Sequence, residues 1–462
     1  MSKTPYLTAP VHTTTLPPGI PYIVGNEAAE RFSYYGMKAI LTLYMTKYLV
    51  DSEGLAAPMS NEQAKVYYHL FSAANYAFPL FGALLADLWW GKYRTILWLS
   101  LLYCFGHFAL AIDETRIGLF VGLLLIALGS GGIKPCVSAH VGDQFSATNK
   151  HLLERVYGWF YFSINFGSTF STLITPALLI DPRFGPSAAF GLPAILMAIA
   201  TGVFWMGRHK YVHIPARGAG FLKEAWSPEG RRILLRLSFV FLFLAVFWSL
   251  YDQTGSEWVQ QAERMDLNML GWEVSPAQIQ AINPILVMIF IPLFTYVIYP
   301  FCERYIKVTA LGKMSVGLFF AAAAFALSGW IQVRIDAGEK VAVSWQLWAY
   351  VLMTTGEILA YFSSLEFSYS QAPPTMKSLI MALNLLSVTV GNAFTSLTNL
   401  LIDQNQSVKD ALRGANYYWF FTSLMLLTAV LFIPVAWYYK GRTYMQDSAG
   451  VVDEGGKSDS VT

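Results

Sequence analysis

Four ionisable side chains and a tyrosine recur at intervals that a helix would bring into line. In Glu27-Ala-Ala-Glu30-Arg31-Phe-Ser-Tyr34-Tyr35-Gly-Met-Lys38, a turn of about 100° per residue places Glu27, Arg31, Tyr34 and Lys38 on one narrow face, with Glu30 beside it. The neighbouring residues are apolar or small, and no proline interrupts the stretch after Pro21. Ionisable groups inside a bilayer are costly unless they face a cavity or a partner. Carboxylates beside an arginine and a lysine can hold an anion or pass a proton among themselves. A surface amphipathic helix or a purely structural ion-pair cluster would show the same spacing, so other segments must decide.

Further polar groups sit inside apolar runs. His69 and Tyr76, seven apart, share a face of the second run; a hydrogen-bonded structural histidine is the plainer reading there. Lys134 lies in Gly129-Ser-Gly-Gly-Ile-Lys134-Pro135, which is not a phosphate loop because the spacing and the hydroxyl residue after the lysine are wrong. The lysine needs an anionic partner, and Glu27 and Glu30 are the nearest in sequence. Tyr157, Tyr161 and Asn165 follow at four-residue steps, as suited to bonding between helices as to touching a ligand. Trp248 and Asp252 share a face, and Asn283-Pro284 is expected to break its helix and expose backbone groups. Glu357 has Tyr361 and Ser364 on its side, then Glu366, with no cation in the second half placed to neutralise them. The first half thus offers Arg31, Lys38 and Lys134 against two glutamates, whereas the second offers Asp252, Glu357 and Glu366. Opposed positive and negative walls suit a zwitterion, and the same carboxylates are candidates to take up protons.

The elements that must position these groups are membrane helices. The chain has 462 residues, 55% hydrophobic and 13% charged, about half the charge of an ordinary soluble protein. A span needs about 20 residues, and twelve segments qualify, near 22–50, 63–88, 94–112, 117–141, 153–179, 188–208, 232–259, 276–302, 312–332, 343–370, 377–402 and 413–439. The widest break divides them into a bundle over 22–208, a linker over 209–231 and a second bundle over 232–440. Segments 1–21 and 441–462 flank them, the latter expected to be disordered. Residues 1–21 contain no apolar run, so no cleaved leader is expected. Basic residues concentrate in the even-numbered connections (Lys92, Arg94, Lys150, Arg155, Arg208, Lys210, Arg231, Arg232) and acidic ones in the odd-numbered connections, which predicts cytoplasmic termini. Cys104, Cys136 and Cys302 lie in or at the edge of apolar runs, so no disulfide framework is expected. A net charge of +2 without a basic tract gives no reason to expect nucleic acid.

The stretch Glu27-x-x-Glu30-Arg31-Phe32-Ser33-Tyr34-Tyr35-Gly36 resembles the signature of the proton-dependent oligopeptide transporters, a branch of the major facilitator superfamily. Gly82 to Thr95 (GALLADLWWGKYRT) and Phe160-Tyr161-Phe-Ser-Ile-Asn165-Phe-Gly167 resemble two further signatures of that family, and the similarity covers nearly all of 20–440. The resemblance implies an all-α membrane protein of major facilitator fold, with 12 transmembrane helices in two six-helix bundles. It implies import of di- and tripeptides with protons by alternating access, at a plasma membrane such as the bacterial inner membrane, by a monomer needing no cofactor beyond the proton gradient. On that pattern Arg31, with Lys134 and Lys38, would hold the peptide carboxylate. Tyr34, Tyr35, Tyr76, Tyr161 and Asn165 would line the pocket in the first bundle, and Trp248, Asn283 and Glu357 in the second, with Glu357 on the peptide amine. Glu27, Glu30 and Lys134 form one implied proton-coupling set. His69 and Asp252, similar to the animal-like branch, form another, and the choice between them stays open. The linker is too short for the two helices many bacterial members insert, and the large external domain of animal members is absent near 332–343. Transport of nitrate or another small anion, or a receptor that binds without transport, are the alternatives. Hydrolysis is not expected, because neither His-Glu-x-x-His nor Gly-x-Ser-x-Gly occurs.

Overall fold

The computed structural model describes residues 6–10, 12–146, 148–216, 218, 226–269, 271–371 and 377–439; linker residues 217 and 219–225 and the tail beyond 439 lie outside them. The first half is α1 Ile20–Lys47, α2 Asn61–Leu85, α3 Lys92–Ile112, α4 Arg116–Gly142, α5 Leu153–Ile180 and α6 Gly185–Met206. The second begins with α7 Pro228–Tyr251 and the short α8 Glu257–Ala262. Then come α9 Ile282–Leu293 and α10 Tyr299–Glu303, joined by a wide turn over Phe294–Ile298, and α11 Ala310–Asp336. α12 Ser344–Glu357 runs through a second wide turn, Ile358–Phe362, into α13 Ser363–Gln371; α14 Lys377–Gln404, α15 Gln406–Ala411 and α16 Ala415–Tyr438 complete it. A two-residue hairpin pairs Asn268–Met269 with Trp272–Glu273. Local chemistry starts several of these helices. The side chains of Ser60, Thr115, Ser227 and Thr309 accept the orphan amides of Gln63, Gly118, Gly230 and Gly312.

Among the described residues ten helices are long and apolar enough to cross a membrane, so the chain is a multi-pass membrane protein. The two expected spans not among them are α1 and the run 344–371, the segments that carry Glu27, Glu30, Arg31, Lys38 and Glu357. One expectation needs correcting: Asn283-Pro284 does not break a helix but opens α9, just after a short turn over Gln278–Ala281. Proline is tolerated in a first turn, where its missing N–H has no partner to lose. The irregularity in that span falls instead at Phe294–Ile298.

Each half has its own core. Ile23, Tyr44, Leu99, Ile126, Phe190 and Phe204 belong to the first, and Leu244, Phe325, Tyr350, Met425 and Phe432 to the second. Glycines set the closest approaches. A Cβ on Gly167 of α5 would strike the Ala28 carbonyl of α1, and one on Gly391 of α14 would strike the Ala245 carbonyl of α7. The two halves thus repeat one contact, first helix on fifth, although no repeat is visible in their sequences. α2 crosses α4 where a Cβ on Gly82 would sit 2.6 Å from Gly132 Cα. Gly82→Ala is therefore expected to lower stability by about 1–3 kcal/mol, through forced separation of two backbones, and thermal unfolding in detergent reads this as a lowered midpoint.

The halves meet through α2 against α14 and α5 against α9. Their polar bridges gather at the end holding the odd-numbered connections. There Lys47 pairs with Glu263 at 2.5 Å and Lys65 with Glu257 at 2.7 Å, while Gln260 donates to the Asn61 carbonyl and Thr42 to the Gly255 carbonyl. At the opposite end the ion pairs Lys92–Asp143 and Lys313–Glu366 each stay within one half. The molecule is closed at the odd-connection end.

Candidate functional site

α1 presents its charged stripe toward α4 and the second half. Arg31 Nε donates to Glu27 Oε1 at 2.6 Å and lies 2.8 Å from Glu30 Oε2, so both carboxylates engage arginine. In this conformation neither Glu27 nor Glu30 forms an ion pair with Lys134, because adjacency on one helix turn gives Arg31 the shorter reach; Glu30 still lies within electrostatic reach of Lys134. Ser130 of α4 donates to Glu30 Oε1 at 3.3 Å. Lys134 Nζ is buried without a hydrogen-bond partner and rests over the rings of Tyr76 at 3.9 Å and Tyr34 at 4.8 Å. Aromatic faces attract a desolvated ammonium, which keeps this charge in place while leaving its donors free. Asn75 donates to the Tyr34 hydroxyl at 2.9 Å and fixes that ring.

Lys38 is brought elsewhere. Its ammonium lies 2.7 Å from Asp252 Oδ1 across the divide between the halves, so in this conformation it is committed to closure. Asp252 Oδ2 accepts from Asn392 Nδ2 at 2.6 Å, and Asn392 Oδ1 meets His69 Nδ1 at 2.7 Å. The second amide hydrogen of Asn392 goes to the Val388 carbonyl. With both hydrogens spent, the Asn392 oxygen must accept, so His69 carries its proton on Nδ1; its Nε2 faces Ser256 Oγ at 2.9 Å. His69 and Asp252 are therefore linked through Asn392 rather than directly. Sequence reading missed Asn392, Ser256 and Ser130. The signal for the first was there: Asn384, Asn392 and Asn399 recur at steps of eight and seven, which share a helix face.

The opposite wall comes from the second half. Asn283 Nδ2 donates to Glu357 Oε2 at 2.8 Å and to Thr354 Oγ1 at 3.0 Å, while Tyr251 donates to Asn283 Oδ1 at 3.3 Å. Among the described residues no cation pairs with Glu357. Trp248 stands edge-on to Tyr361, with centroids 4.9 Å apart. Tyr161 reaches Phe362 across the divide at 5.9 Å. Tyr35 lies within electrostatic reach of Arg31, Lys38 and Glu357 together, which places it between the walls. Asn165 bonds back to the Tyr161 carbonyl in its own helix. Ser364, expected beside Glu357, instead meets Asn384. The expectation that Glu366 lacks a cation is also corrected, since Lys313 lies 2.6 Å away. Glu366 is 60% exposed on its side chain, and an ion pair this wet contributes at most about 1 kcal/mol. Glu366→Gln is expected to change stability by less than about 1 kcal/mol, as read by thermal unfolding in detergent. A separate apolar cavity of about 330 Å³, lined by Met59, Phe71, Leu119, Leu123 and Arg116, lies between α2 and α4; none of the charged site residues borders it.

Two helical halves, each with its own core and bridged to the other at one end, define a two-bundle membrane architecture. The sequence model of the POT family matches residues 93–227 and 221–420, and the chain belongs to that family. The Glu27–Gly36 stretch lies before the matched segments. The chain is 41% identical over 365 residues to Peptide transporter family 1 of Drosophila melanogaster, covering 69% of this chain and 48% of that protein. It is 39% identical over 369 residues to human Solute carrier family 15 member 2, covering 69% and 49%. The chain thus spans about half the length of the curated relatives it matches. The crystal structure of an auto-inhibited POT family peptide transporter superimposes with a TM-score of 0.84 at 36% identity, covering 95% of this chain and 99% of the other. A POT family transporter solved in meso gives a TM-score of 0.84 at 37% identity, covering 91% and 98%. These likenesses give the chain the major facilitator fold.

Proposed function

We propose that this protein is a proton-coupled symporter that imports di- and tripeptides by alternating access. The observation that carries the reading is the pair of unlike walls. Lys134 has free donors beside Arg31, and across the divide no cation among the described residues pairs with Glu357. A short zwitterion supplies both missing partners, its carboxylate toward Arg31 and Lys134 and its amine toward Glu357. Charge-assisted bonds of this kind are the strong ones. Tyr34, Tyr35, Tyr76, Tyr161, Asn165, Trp248 and Asn283 line the space between and orient the peptide backbone. Lys38 joins them only after Asp252 releases it.

Closure at the odd-connection end rests on Lys38–Asp252, so a proton reaching Asp252 through His69 and Asn392 would loosen it, whereas one on Glu30 would release Arg31. Both couplings, Glu27/Glu30 with Lys134 and His69 with Asp252, belong to the proposal. The protein acts as a monomer in the plasma membrane with both termini cytoplasmic, so the closed end faces outward. Bundles 22–208 and 232–440 rock about the linker 209–231, driven by the proton gradient without a cofactor. Proteoliposomes given an inside-negative, outside-acid gradient should accumulate labelled dialanine. Uptake no greater than in a protonophore control would refute transport, and competition by nitrate but not by peptides would indicate an anion carrier.

A further inference from the structure

Behind Glu30, on the side away from the central divide, the first half buries polar atoms that nothing satisfies. Glycines pave this seam. Cβ atoms on Gly129 and Gly122 of α4 would run into Tyr103 and Leu110 of α3, so the two helices lie close and carry α3 side chains against α4 and α1. The Tyr103 hydroxyl is fully buried, lies against Ser130, and is within electrostatic reach of Glu30 and Arg31. One turn further along α3 the His107 ring lies tilted against Tyr103 with centroids 4.8 Å apart. His107 is 0% exposed, and both of its ring nitrogens lack partners. Buried polar atoms are almost always hydrogen-bonded, to protein or to ordered water. The two orphaned ring nitrogens of His107, one turn beyond a tyrosine that adjoins Ser130 and Glu30, mark a place built to hold water.

We propose that Tyr103 and His107 are positioning residues that hold a short file of internal water along the α3–α4 seam, through which Glu30 exchanges its proton. The proposal rests on the symporter reading. A proton added to the Glu30 carboxylate comes from the adjoining water, which recovers one from the next. Tyr103 and His107 order the file by donating and accepting hydrogen bonds and end the cycle unchanged. The groups facing Glu30 are Arg31, Glu27, Lys134 and Ser130; no charged group of α4 or α6 lies within electrostatic reach of His107. The file runs toward the closed end, where α3 terminates at Ile112. It therefore reaches Glu30 without crossing the peptide cavity.

The test compares full-length wild type with Tyr103→Phe, His107→Leu and His107→Gln in proteoliposomes. Dialanine counterflow without a gradient is measured beside gradient-driven accumulation as a function of outside pH. Drying the file should leave counterflow within about twofold, cut driven accumulation about tenfold, and move the driven-uptake profile toward acid. His107→Gln, which keeps a donor and an acceptor, should restore most of it. The proposal fails if Tyr103→Phe and His107→Leu keep the wild-type profile, if they lose counterflow as much as driven uptake, or if His107→Gln behaves like His107→Leu. Absence of counterflow in wild type would instead refute the symporter reading itself.

Discussion

Lys134→Ala is expected to reduce gradient-driven dialanine accumulation to the level of a protonophore control. Arg31 is already shared between Glu27 and Glu30, so Lys134 is the charge that makes the first wall neutral. Without it that wall carries one net negative charge, and an arriving peptide carboxylate meets repulsion. A hydrogen bond to a charged group contributes about 1.5–3 kcal/mol, so affinity alone should fall about tenfold to a hundredfold. Glu30 also loses the neighbouring ammonium whose field it feels, which disturbs proton exchange as well as binding. The two losses separate by experiment, since saturating dialanine would rescue a defect of affinity and would not rescue one of coupling. Accumulation at the wild-type rate would remove Lys134 from the site.

The second large effect is expected at the closed end. Asp252→Asn leaves Lys38 buried, charged and unpaired whenever the halves meet. Breaking a buried ion pair on one side costs about 3–5 kcal/mol, whereas in the opened form Lys38 is free to find water. Each 1.4 kcal/mol is a factor of about ten, so the equilibrium should swing by two to three orders of magnitude toward opening. Cysteines placed at Lys47 and Glu263, whose side chains now meet, would report this as loss of crosslinking. Deleting both charges, as Lys38→Ala with Asp252→Ala, should be milder than Asp252→Asn alone, because no stranded charge remains. A double variant at least as impaired as the single one would show that the pair does not govern closure.

The charged stripe on α1 was legible because a helical period alone aligns Glu27, Arg31, Tyr34 and Lys38. The intramembrane charges of the second half could be picked out for a similar reason, since they are few and each must be explained. Partner choice could not be read so directly. Lys38 and Asp252 are 214 residues apart, and only the packing of the halves joins them. Ser364 went astray because the wide turn Ile358–Phe362 takes up an extra residue, after which a fixed period points to the wrong face. Glu366 found Lys313 because α11 runs beside α13, an adjacency no local pattern encodes. The twofold likeness of the halves was hidden as well, because it resides in where glycines allow contact rather than in repeated letters.

α1 bears Glu27, Glu30, Arg31 and Lys38 and is absent from the helices apolar enough to span, yet it emerges during synthesis ahead of the helices that shelter it. Placing such charges mid-bilayer is penalised by about 2.5–3.5 kcal/mol each at the translocon for residues like Asp, Lys and Arg. Its packing partners α5 and α6 begin at Leu153 and Gly185, more than a hundred residues later. The nascent helix must therefore wait in a protein-lined or aqueous vestibule until α5 and α6 arrive to shelter it. In truncated chains ending before α5, cysteines placed in α1 should accordingly react with a water-soluble thiol reagent, while chains released after α6 should protect them.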